Sequence, residues 1–123
     1  MIPKFRAWDK TDKKMYLVDG INFNRGEFES IVVGISFLRG ADKVELMQST
    51  GLFDKNRQEI FEGDILGTKD GSLNGVVEYR TDLGMWTNSL VRYNNFERLC
   101  SIASDRKIIG NIYENPELLE VTE

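Results

Sequence analysis

No histidine, one cysteine and two prolines occur in the 123 residues of this chain. Without histidine the commonest general base and zinc ligand is gone, so the ordinary forms of Ser-His and Cys-His catalysis and of zinc binding are excluded. The lone Cys100 forms no internal disulfide, which suits a reducing compartment, and a cytoplasmic protein is expected. Cys100 itself is expected to be a small buried thiol, since nothing in the chain activates it. No apolar run approaches the ~18 residues of a membrane span, and Met1-Ile2-Pro3-Lys4-Phe5-Arg6 lacks the apolar stretch of a signal peptide, so no membrane association is expected. An excess of positive charge is also missing. With 16 basic against 20 acidic residues the formal net charge is −4, so the whole chain offers no long-range attraction to nucleic acid.

What is present is β-prone sequence cut by turns. The length is that of one domain, which buries roughly two thirds of its unfolded surface. From Leu46 to Tyr79 apolar pairs (Leu52-Phe53, Ile60-Phe61, Ile65-Leu66, Val76-Val77) recur in short bursts bounded by Gly, Asp or Asn, as in a small sheet that closes on itself. Asp54-Lys55-Asn56-Arg57 has the residues of a type I turn ending in a left-handed position. Gly is favoured there, so Arg57 either takes positive φ at about 1 kcal/mol or passes it to Asn56. The layout Gly63-Asp64-Ile65, loop 69–75, then Gly75-Val76-Val77 is similar to that of SH3-like barrels.

Upstream, Lys4-Phe5-Arg6-Ala7-Trp8 and Met15-Tyr16-Leu17-Val18 predict a first hairpin, with Pro3 just before it and Trp8 at least partly buried. Ile21–Phe23 reads as a short strand, Asn24–Glu27 as a turn, and Ile31–Phe37 as one strong β-branched run. Arg39–Asp42 closes that run and a strand resumes over 43–48. Downstream, Met85–Tyr93 reads as a strand and Lys107–Tyr113 as a last one. Phe96, Leu99 and Cys100 recur at helical spacing behind Asn94 or Asn95, although strand is an equal reading of 93–104. Asn115-Pro116-Glu117 is a helix start, with Asn as N-cap.

Three blocks, "IPKFRAWDKTDKKM", "LMQSTGLFDKNRQEIFEGDIL" and "IIGNIYENPELLE", together resemble the YopX family of phage and prophage proteins. Arg57 departs from the family pattern, which usually has Gly there. The resemblance implies a mostly β protein with an SH3-type barrel in its C-terminal part and no established activity. The expected fold is therefore all-β with minor α: an N-terminal β subdomain (1–45) packed on an SH3-like small β-barrel with a short C-terminal helix (46–123).

Candidate chemistry is sparse. Asp54, Glu59, Glu62 and Asp64 form an acidic cluster. Read as a calcium loop from Asp54, it has Glu59 where Gly is required and Ile65 where the bidentate Glu belongs. These carboxylates are expected on water-facing turns, with Asp64 accepting from turn amides. No catalytic residue, metal site or cofactor is expected. The remaining candidate is the first hairpin, where Lys4, Arg6, Lys10, Lys13 and Lys14 accompany Trp8 and Tyr16, a mixture some small barrels use to hold nucleic acid. The expectation is a non-enzymatic phage or prophage accessory protein in the host cytoplasm, acting on a protein partner or as a homo-oligomer. A nucleic-acid-binding barrel is the alternative.

Overall fold

The computed structural model describes residues 4–34 and 37–120, so Pro3, Ile35 and Ser36 lie outside the described residues. The chain forms two units, Met1–Gln48 and Ser49–Glu123. Most regular elements among the described residues are strands, as the sequence predicts.

In the first unit, β1 (Phe5–Asp9) pairs antiparallel with β2 (Lys14–Leu17) and with the first half of β6 (Val44–Phe53). The β1–β2 turn closes because the Asp9 carboxylate accepts from the amides of Thr11 at 2.8 Å and Asp12 at 3.0 Å, an Asx-type arrangement. A three-stranded antiparallel sheet follows, β3 (Gly20–Asn24), β4 (Glu27–Val33) and β5 (Phe37–Gly40), in the order β3-β4-β5. Arg25 (φ 54) and Gly26 (φ 82) make its first turn, and two successive positive values are the mark of the type I′ hairpin. Ala7, Ile31 and Val44 form the buried core, with Val18, Phe28, Val33 and Leu46 packed on it.

The continuous strand expected over Ile31–Phe37 is not there. β4 ends at Val33, Gly34 takes φ 65, and Val33 pairs with Phe37 of the returning β5. Glycine is what permits that left-handed break inside a β-branched run. A bulge on β4 shifts the register between Asn22 and Phe23, from Asn22↔Ser30 to Phe23↔Phe28, and changes the phase so that Phe28 joins the core with Ile31.

In the second unit the latter half of β6 pairs with β7 (Glu59–Phe61). Five antiparallel strands then make a sheet in the order β11-β10-β9-β8-β12: β8 (Asp64–Gly67), β9 (Gly75–Arg80), β10 (Met85–Leu90), β11 (Phe96–Arg98) and β12 (Lys107–Asn111). Its core is Ile60, Leu66, Val77, Leu99 and Ala103, with Leu52, Trp86, Ile102 and Ile108 against it. Close packing is enforced at Gly75, where a Cβ would meet the buried Asn88 side chain at 2.5 Å.

Two helical expectations change. Residues 96–98 are strand, and the helix α1 (Leu99–Ile102) is a single turn continued by a 3-10 turn at Ala103–Asp105. In so short a helix only Leu99 is buried, and Cys100, about 100° further round, is exposed rather than a buried thiol. At the C-terminal end Pro116–Leu119 is 3-10, and Asn115 makes no side-chain cap; its side-chain Oδ1 accepts from the Asn111 amide instead.

Candidate interaction surface

The register of the first hairpin decides what its basic and aromatic residues share. Opposed pairs lie on one face, so Arg6↔Leu17 and Trp8↔Met15 mark one side of the sheet, and Ala7↔Tyr16 and Asp9↔Lys14 the other. Trp8 is half-buried, as expected, on the face of Arg6; Tyr16, also half-buried, shares its face with Lys14 and the buried Ala7. Lys10 and Lys13 sit in the turn, and Lys4 precedes β1. Lys10 is committed to Glu45 (3.2 Å), and the Tyr16 hydroxyl donates to Asp12 at 3.2 Å. The seven residues thus do not form one basic, aromatic stripe.

The acidic turns are also reorganised. Asp54 (4% exposed) and Asp64 (1%) do not face water. Asp54 Oδ1 accepts from the Asn56 and Gln58 amides, both at 2.8 Å, and Oδ2 accepts from Ile108 at 3.0 Å, pinning the β6–β7 turn to β12. Asp64 accepts from the amide of Phe61, the last residue of β7, at 2.7 Å across the Glu62-Gly63 turn. Three backbone amides fill the lone pairs of Asp54, which satisfies its buried carboxylate. Glu59 receives the Ser49 hydroxyl, and among the described residues no three His, Cys, Asp or Glu converge as metal ligands.

Two ion pairs missed from sequence hold the units internally. Asp9, 1% exposed, accepts from Arg39 Nε at 2.8 Å. Burial pushes its carboxyl up, but the Asp12 and Thr11 amides and Arg39 outweigh this and leave it below the ordinary range. Arg106 grips Glu97 with two bonds of 2.6 Å, while the buried Asn88 donates to the same carboxylate. The Arg106 bonds hold Glu97 below, and Arg106 above, their usual values. In the loop 68–74, Ser72 and Thr68 donate to Asp70 and bring it to about 2. A cleft of about 580 Å³ in the second unit is ringed by Lys55, Lys69 and Lys107, with Asp105 and Ile109.

What the first unit does present is open strand edges. Leu17 on β2 (66% exposed), Phe23 on β3 (63%) and Leu38 on β5 (58%) are large apolar side chains, and each lies on the outermost strand of its sheet. Natural edges are usually blunted with charge or proline. No sequence signal marked these edges, because strand order is set by long-range pairing rather than by local pattern.

Fold and surface together define a small two-unit β protein with exposed apolar edges. The chain belongs to the YopX family: the family model described as "YopX protein" matches residues 4–120. It is similar to protein EF1440 from Enterococcus faecalis, at 31% identity over 98% of this chain and 99% of that one, with a TM-score of 0.63. It also resembles protein yopX from Bacillus subtilis, at 19% identity over 98% of each chain, with a TM-score of 0.59. No curated protein matches it.

Proposed function

We propose that this is a non-enzymatic, phage- or prophage-encoded accessory protein of the host cytoplasm that works by protein–protein contact through the strand edges of its N-terminal unit. The observation that carries this reading is the coincidence of three outermost strands with three exposed apolar residues, Leu17, Phe23 and Leu38. An open edge offers backbone donors and acceptors, and an apolar side chain beside it supplies the burial that stabilises β-strand addition. The second unit is read as an SH3-like small barrel, supported by its five-stranded antiparallel sheet and the β6–β7 ribbon around one core.

Affinity capture from infected cells tests this reading, with the wild-type chain and a Leu17→Lys, Leu38→Lys variant as baits. A protein other than the chain itself, retained by the first and lost from the second, is the expected result. Identical captures, at equal folded content by circular dichroism, refute the role of the β2 and β5 edges.

A further inference from the structure

The β3 edge has the pattern of a surface made to pair with itself. β3 reads Gly20-Ile21-Asn22-Phe23-Asn24 and carries no charged residue. The other outermost strands each carry at least one: Lys14 on β2, Arg39 on β5, Glu59 on β7, Glu97 on β11 and Lys107 on β12. Asn22, Phe23 and Asn24 are exposed.

The hairpin fixes which backbone groups are free. Asn24↔Glu27 closes the two-residue Arg25-Gly26 turn, and such a closing pair exchanges both hydrogen bonds. Bonds alternate along an antiparallel strand, so Asn22 also turns its amide and carbonyl toward β4. Ile21 and Phe23 turn theirs toward the open side.

We propose that β3 of one molecule pairs antiparallel with β3 of a second copy, about a two-fold axis at Asn22, joining two three-stranded sheets into one of six. This rests on the reading that the edges make protein contacts and names the occupant of one of them. In that register Ile21 of each copy faces Phe23 of the other, so the outward-turned groups bond to one another and the exposed Phe23 ring gains an apolar neighbour on the face that Ile21 shares with the buried Ile31. Asp19, just before β3, whose carboxylate accepts from the Gly34 amide at 2.6 Å and remains exposed, lies opposite Arg25 of the other copy, just after it, and the pair occurs twice. Neighbouring registers lose this match. An axis at Phe23 sets Asp19 against Glu27, and an axis at Ile21 sets Asp19 against Phe23, so like-charge and desolvation costs select the axis at Asn22.

The register has a sharp test. Asn22 faces its own counterpart as a non-hydrogen-bonded pair, where Cα atoms lie ~4.5 Å apart, within disulfide range. In a Cys100→Ser background, Asn22→Cys is expected to give covalent dimer on mild oxidation at micromolar protein, while Asn24→Cys remains monomeric on a non-reducing gel. Arg25→Asp is expected to weaken dimerisation of the wild-type chain at least tenfold by sedimentation equilibrium, and Asp19→Arg with Arg25→Asp to recover it at low salt. Equal crosslinking at positions 22 and 24, or none at 22, overturns the proposal. A mass staying near 14.1 kDa across a hundredfold range of concentration also overturns it. The capture experiment above then separately decides whether the edges bind a different protein.

Discussion

Arg57 holds φ 63 in the turn between β6 and β7, the left-handed conformation that suits glycine and that its own sequence position called for. Its Cβ makes that conformation costly, whereas glycine occupies it freely but adds entropy to the unfolded chain. The first effect is the larger, so Arg57→Gly is expected to stabilise the fold by a few tenths to about 1 kcal/mol, read as a higher urea midpoint at unchanged m-value. Three residues earlier, Asp54 uses one oxygen for two turn amides and the other for the Ile108 amide. Asp54→Asn retains the shape but sets an N–H against one of those N–H groups. A loss of about 1–3 kcal/mol is expected, and a midpoint within error of wild type would show that the Ile108 bond contributes nothing.

At the scale of elements, the hairpins were legible because their turn residues act locally: Asp9 with the Thr11 and Asp12 amides, Arg25-Gly26, and the Asp54 turn all carry their own hydrogen-bond chemistry. The break at Gly34 was not, since a glycine within Ile31–Phe37 reads equally as a strand residue until β5 is seen to pair back. Phe96, Leu99 and Cys100 matched a helical period, yet Phe96 is held in β11 by pairing with Ser89 of β10. The exposed edges were equally invisible, as were the ties Asp9–Arg39 and Glu97–Arg106, which span 30 and 9 residues. Those ties make a prediction. Asp9 and Glu97 have depressed carboxyl pKa values in the folded state, so the stability they give is complete above the unfolded values and is lost as pH falls through the folded ones. The melting midpoint is expected to be flat from about pH 7 to 5 and to fall below about pH 4.5. In Glu97→Gln, which leaves Asp9 and Asp70 among the depressed carboxyls, that acid slope is expected to be shallower; an unchanged slope would show that Glu97 does not contribute to it.

For the whole molecule the deciding quantities are net charge and where the cations lie. The chain carries −4 overall, and its one cationic stretch with aromatics is divided: Arg6 and Trp8 on one face of the β1–β2 hairpin, Lys14 and Tyr16 on the other. Nucleic acid held by this hairpin would run along one face and contact only the cations there or at the turn, where Lys10 is already paired with Glu45. Each phosphate contact contributes about 0.7–0.9 to the slope of log affinity against log salt, so engagement of Lys4, Arg6, Lys10, Lys13 and Lys14 together would give a slope of roughly −4. Division between two faces lowers the number of contacts one strand can make, and the net negative charge opposes its approach. Fluorescence anisotropy with single-stranded and duplex probes is therefore expected to show no saturable binding up to about 100 µM at 0.15 M salt, the weak end of the 10⁻⁴ to 10⁻⁶ M range of non-specific binders. Saturable binding with a slope near −4, abolished by Lys13→Glu with Lys14→Glu, would overturn this and assign the hairpin to nucleic acid, and the edges of the N-terminal unit would then need a different explanation.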